Sequence, residues 1–134
     1  MSFLVDTDVL IDNLRGLTDV DDWLQQHLRE QLAISIITLG ELYKGAYRQA
    51  DPSTHLARLT PFLARFGVIN LTDSVMHRYG HEYAALRRQG NVVPDLDLLI
   101  AATALTYDFT LATRNARHFE RIPGLKVEVV ELTS

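Results

Sequence analysis

A three-layer α/β sandwich around a mostly parallel sheet is the fold this sequence predicts, and two features of the chain predict it. Short apolar runs of strand length alternate with longer segments of helical periodicity. The strand runs are apolar throughout instead of at every second residue, the pattern of strands covered on both faces. Repeats, low-complexity tracts and linkers are absent, so residues 1–134 read as one domain.

Residues 3–5, Phe-Leu-Val, form the first buried strand, and Val9, Leu10, Ile11 and Leu14 then follow at helical spacing as far as Gly16. Trp23, Leu24 and Leu28 mark a second helix with an acidic start. Together with Leu10 and Leu14 they either cover the sheet or form a groove for a partner's amphipathic segment. Residues 32–37 are short and β-branched, a second strand, with a helix opening at Thr38. Residues 55–66 read as a helix that Pro61 bends or interrupts, because proline lacks the N–H and crowds the preceding turn. Residues 68–71 are strand-like. Thr72 or Asp73 caps the next helix, whose stripe of Val75, Tyr79, Glu82, Tyr83 and Leu86 runs out at Gly90. A helix starting near Pro94 carries the apolar residues 98–105, with alanines small enough to lie close against a sheet. Residues 109–112 form a strand, 115–121 a short helix and 125–130 the last strand.

A chain of 134 residues that is 47% hydrophobic can bury a genuine core. The absence of cysteine removes disulfides, thiolate nucleophiles and cysteine-type zinc sites, and fits a reducing compartment, the cytoplasm. The N-terminus meets Asp6 after three apolar residues and has no basic leader, so no signal peptide or membrane anchor is expected there. A net charge of −4 argues against a basic surface all over. A nucleic-acid substrate would need a local patch, and basic residues do bunch at Arg87-Arg88 and at Arg114, Arg117 and Arg121. A solvated helix face explains the first pair as well.

In parallel sheets the functional crevice lies beyond the carboxyl ends of the strands. Asp6 follows the first strand, Glu41 falls in the first turn of the helix after the second, and Asp97 lies in the first turn of the helix near Pro94. Asn115 follows the fourth strand and adds an amide at the same edge. Each has an ordinary explanation. Thr38-Leu39-Gly40-Glu41 matches a capping box, Asp95 and Asp97 suit a helix N-terminus, and Asn115 could be an N-cap. Asp6 resists that treatment, since a carboxylate ending a hydrophobic strand needs a partner. Converging carboxylates destabilise the fold unless a cation neutralises them. Oxygen donors, with no histidine expected beside any of these acids, favour Mg2+ or Mn2+ over Zn2+. His77 and His81 lack the glutamate of His-Glu-x-x-His and read as an exposed helix face. An ion of this kind can activate water for attack on phosphorus, which is nuclease chemistry. No Gly-x-Ser-x-Gly or phosphate-cradling glycine loop offers another route.

Val5-Asp6-Thr7-Asp8-Val9-Leu10-Ile11-Asp12, then Ile37-Thr38-Leu39-Gly40-Glu41-Leu42-Tyr43-Lys44-Gly45, then Asp97-Leu98-Leu99-Ile100-Ala101-Ala102, then Thr113-Arg114-Asn115 with His118-Phe119 stand in an order and spacing that resemble the PIN-domain family over nearly the whole chain, in particular its VapC-like toxins. The resemblance implies Mg2+- or Mn2+-dependent cleavage of RNA, a homodimer, and inhibition by a small VapB-like antitoxin that inserts a segment into the active-site groove. It also gives Asp6, Glu41 and Asp97 the acidic metal-site positions. Asn115 stands where many relatives have a fourth acid. Asp8 and Asp12 read as the solvent side of the first helix, and Asp95 as a cap or a minor supporting group. Arg114 and Arg117 are placed to meet phosphates, unless Arg114 pairs with Asp95 or Asp97.

Two rivals remain at this level. Phe3-Leu4-Val5-Asp6-Thr7-Asp8-Val9 also resembles the opening of haloacid-dehalogenase-type phosphatases, with Asp6 as nucleophile and Asp8 as its acid/base partner, but the later acidic segment precedes Thr113 instead of following it. A receiver-like signalling module would need an aspartate ending a middle strand and a lysine ending the last one, and neither is present.

Overall fold

The computed structural model describes residues 2–14 and 18–131; Gly16, expected to end the first helix, lies outside them. The elements run β1 (Ser2–Val5), α1 (Thr7–Leu14), α2 (Thr18–Gln26), β2 (Gln31–Ser35), α3 (Ile36–Tyr47), α4 (Pro52–Leu63), β3 (Gly67–Ile69), α5 (Asp73–Arg88), α6 (Asp95–Tyr107), β4 (Thr110–Thr113), a 3-10 turn (Phe119–Arg121) and β5 (Val127–Val129). The strands pair in the order β3-β2-β1-β4-β5, and every pairing is parallel.

Alternate residues of β1 enter opposite cores, as the two-residue period of a strand requires. Phe3 and Val5 pack with α1, α2, α3 and α4, through Leu10, Leu24, Leu42 and Leu59 among others. Leu4 packs with α5 and α6, against Leu86, Leu98, Ala101 and Ala104. Two helical layers thus enclose the sheet, the predicted three-layer arrangement. The alanines of α6 are fully buried and let that helix lie close to the strands.

Several boundaries differ from the expected ones for identifiable reasons. Ile36 and Ile37 belong to α3 and not to β2, because Ser35 ends the strand and caps the helix, its Oγ accepting a bond from Ile37 N at 3.0 Å. Pro61 falls in the last turn of α4 and the helix ends two residues later, short of Phe66. Thr72, not Asp73, caps α5, its hydroxyl accepting from Val75 N at 3.3 Å. Within the stripe of α5, buried Glu82 is neutralised by Arg78 Nε at 2.9 Å. The expected helix at 115–121 contracts to the turn Phe119–Arg121, since Asn115 Oδ1 accepts from Arg117 N at 3.3 Å and holds a local side-chain turn in its place.

Trp23, Leu24 and Leu10 cover the sheet. Leu10 and Leu24 are core residues, while Trp23 packs edge-on to Phe3, stacks on His27 and donates from Nε1 to Glu128 Oε2 at 2.7 Å. The groove expected from these residues lies elsewhere. Of the expected set only Leu14 lines it, beside Ile11, α3 and α4.

Candidate active site

In the strand order β3-β2-β1-β4-β5 the chain leaves β1 toward one side and returns to the other as β4. The carboxyl ends of β1 and β4 therefore flank the topological switch point, where a crevice opens in such sheets. Asp6 is the first residue beyond β1, and its backbone N–H still donates to Ala112 of β4 at 2.8 Å. Its side chain is only 7% exposed. Oδ1 accepts from Thr7 N at 2.8 Å, and Oδ2 accepts from the buried hydroxyl of Thr113, the last residue of β4, also at 2.8 Å.

Thr7 opens α1 and links Asp6 to the third helix. Its Oγ1 donates to Glu41 Oε1 at 2.8 Å and lies 3.0 Å from the Thr38 hydroxyl. The capping-box reading of Thr38 and Glu41 is thereby overturned. Ser35 is the cap, Thr38 is buried against Thr7, and Glu41 stands in the second turn of α3 with its carboxylate directed to the Asp6 side. Asp97, in the first turn of α6, receives His118 Nδ1 on its Oδ2 at 2.9 Å. The expectation of no histidine next to these acids fails here, because the loop after β4 folds back over α6 and carries a residue 21 positions away onto Asp97. The pair His118-Phe119 was the signal available in the sequence.

Asp8 and Asp12 are the second correction. They do not form the solvent side of α1 but face the loop after β4. Asp8 accepts from Arg114 N at 3.3 Å and its Oδ2 lies 3.4 Å from Thr113 Oγ1, and Asp12 Oδ2 lies 2.5 Å from Arg114 Nε. The Arg114 side chain is 11% exposed and pairs with Asp12; among the described residues it makes no ion pair with Asp95 or Asp97. Asp95 is exposed and accepts from the Tyr79 hydroxyl at 3.1 Å, without a capping bond in α6. Asn115 and Arg117 are exposed beside Thr113, whose hydroxyl receives Asn115 N at 3.1 Å. His77 and His81 do lie on an exposed face of α5.

The electrostatics are those of an acidic cluster short of countercharge. Burial, then the nearby charge of Asp8, push the Asp6 carboxyl up from 3.8 to about 7, with Asp97 adding to the rise; the bonds from Thr113 and Thr7 oppose it. Burial also raises Asp8, against the pull of the backbone N–H of Arg114. Among the described residues no three acidic or imidazole side chains are closed into a ready cage. Carboxylate oxygens whose ionisation burial disfavours are the donor set that a hard divalent cation fits. Asp6, Glu41 and Asp97 come from three elements around this point, and Asp8 joins them.

The PIN domain family model matches residues 3–125. Among curated proteins, the chain is 40% identical over 124 residues to ribonuclease VapC10 of Mycobacterium tuberculosis, covering 92% of this chain and 90% of that one. It is 31% identical over 135 residues to the tRNA(fMet)-specific endonuclease VapC of Salmonella typhimurium, covering 96% and 97%. Among solved structures, VapBC2 from Rickettsia felis bound to a promoter DNA fragment superposes with a TM-score of 0.91 at 27% identity, over 96% of this chain and 98% of that one. DNA-bound VapBC from Salmonella typhimurium gives 0.90 at 29% identity, over 98% and 99%. With a family match across almost its whole length, relatives above 30% identity and the same fold in solved relatives, this chain belongs to the PIN-domain family.

Proposed function

We propose that the protein is a divalent-metal-dependent endoribonuclease and the toxin of a toxin–antitoxin pair, working in the cytoplasm. The observation that carries the chemistry is the placement of Asp6, buried at the switch point with Asp8 beside it and Glu41 joined to it through Thr7; burial first, and Asp8 second, disfavour its ionisation, and a bound cation would offset both. Asp6, Glu41 and Asp97 are the residues that would hold the ion, and their hard oxygens suit Mg2+ or Mn2+. The ion, when bound, supplies an activated water for attack on the phosphodiester phosphorus. The chain's own residues supply orientation. Thr113 and Thr7 fix the two oxygens of Asp6, Thr7 fixes Glu41, and Asn115 offers a neutral amide at the rim. Arg114, tied to Asp12, clamps α1 to the end of β4, while exposed Arg117 is the better placed of the two to meet a phosphate.

RNA as substrate and an antitoxin as partner are supported by relatives that carry the names ribonuclease and endonuclease and by neighbours solved as VapBC complexes. A cavity of about 480 Å3 runs from Glu41 between α1, α3 and α4, with an apolar floor of Ile11, Leu14, Leu42 and Leu59 and a rim of Arg48 and Arg58. It suits an apolar antitoxin segment with acidic flanks. A homodimer would draw on exposed apolar side chains such as Tyr43, Tyr47, Met76, Tyr83 and Leu96. Among the described residues no helix is long and apolar enough to cross a membrane.

Sequencing of RNA ends after expression tests the activity. Wild-type protein should produce new ends at a defined site, and Asp6→Ala should produce none while keeping RNA affinity close to wild type. Cleavage undiminished in Asp6→Ala would overturn the assignment. In that inactive background Arg117→Ala should lower RNA affinity and flatten its salt dependence by at most about one unit of log–log slope.

A further inference from the structure

Each of the three acids assigned to the metal is held by one side-chain donor from another element. Thr113 of β4 holds Asp6, Thr7 of α1 holds Glu41 and His118 of the loop after β4 holds Asp97. We propose that His118 is a positioning residue of the metal site, fixing Asp97 in its ligating orientation so that ion affinity depends on a histidine that does not itself touch the ion. This rests on the metal-site reading above and adds to it a residue outside the acidic set.

The placement of His118 is built into the fold. It stands at the N-cap position of the 3-10 turn Phe119–Arg121, its side chain free of any capping bond, and the residues behind it, Phe119 and Ile122, are buried at 2% and 3% in the same core as Leu98 and Ala101 of α6. The loop is thus anchored to the helix that carries Asp97, which fixes the 2.9 Å contact from both ends. An ionised carboxylate only accepts hydrogen bonds, so the proton in the contact sits on Nδ1 and the bond engages Oδ2. The other carboxylate oxygen would remain available to an ion. Outer-sphere partners of this kind set ligand orientation, and losing one weakens metal binding without removing a ligand. An ordinary surface ion pair would behave differently. With 37% of the His118 side chain exposed, such a pair would add little to stability and nothing to metal affinity.

The test is calorimetric titration of the full-length, metal-stripped protein with Mn2+, repeated by Mn2+ spin resonance. His118→Ala should raise Kd by roughly 10- to 100-fold while its metal-free unfolding midpoint stays near wild type. His118→Asn, whose amide nitrogen stands in for Nδ1, should recover binding to within about threefold of wild type. The double variant Asp97→Asn, His118→Ala should bind no more weakly than Asp97→Asn alone. Wild-type affinity in His118→Ala would overturn the proposal, as would His118→Asn binding as poorly as alanine. A wild-type chain that takes up no Mn2+ would instead overturn the metal-site reading itself.

Discussion

An aspartate in the unfolded chain gives up its proton near 3.8, whereas Asp6 in the fold keeps it to about 7. Between these values folding takes up a proton, so the contribution of Asp6 to stability is full below 3.8 and is lost as the pH rises through 7. In metal-free protein at pH 8, Asp6→Asn should therefore be more stable than wild type, by at most about 4 kcal/mol, and the gap should close toward pH 4; chemical denaturation at both pH values checks this. Thr113 acts in the opposite sense, since its hydroxyl stabilises the ionised form of Asp6. Thr113→Val keeps the shape and removes the donor. It should cost about 1 to 3 kcal/mol at pH 8 and move the onset of divalent binding to higher pH, as read by titration across pH 6–9. Unaltered pH onset in Thr113→Val would show that Asp6 is oriented by something else.

At the level of elements, the start of α3 separates structure from catalysis. Ser35 is fully buried and caps the helix, while Glu41 makes no capping contact and faces Asp6 through Thr7. Ser35→Ala should lower stability by about 1 kcal/mol in urea denaturation. Glu41→Gln, which retains an oxygen for the Thr7 hydroxyl, should leave the urea midpoint nearly unchanged and suppress RNA cleavage. Were Glu41 a structural cap after all, the two outcomes would exchange. The connection from β4 works differently. Arg114 binds Asp8 through its backbone N–H and Asp12 through its guanidinium, so one residue holds two turns of α1 beside the site.

Across the whole molecule, the acidic switch point and the groove beside it make binding events visible as stability. A cation that neutralises the cluster binds only the folded chain, so Mg2+ or Mn2+ should raise Tm in proportion to the logarithm of its concentration, and Asp97→Asn should blunt the rise; differential scanning calorimetry decides it. Gly45 lines the groove on α3, and a Cβ added there meets no atom within 4 Å. Gly45→Trp should therefore leave the fold and RNA cleavage intact yet obstruct the groove, weakening a co-expressed antitoxin by about tenfold or more, equivalent to at least 1.4 kcal/mol. Full inhibition of Gly45→Trp would place the antitoxin elsewhere on the surface.

The sequence by itself determined the layers and the acids. Continuous apolar runs such as 3–5 mark strands covered on both faces, the helical stripes between them require two covering layers, and Asp6 had no ordinary reason to end a hydrophobic strand. These are local properties, carried by period and by the cost of burying a charge. Asp8, Asp12 and His118 were decided only by the tertiary structure. On a helical projection Asp8 and Asp12 look like any exposed acidic face, and what turns them into part of the site is Arg114, more than 100 residues away, brought beside them by the pairing of β1 with β4. His118 reaches Asp97 because Phe119 and Ile122 bury themselves against α6. Periodicity reports which face of an element is apolar, but the partner of a polar side chain depends on which strands become neighbours, and in a parallel sheet that choice is made by long crossovers whose sequence does not record it.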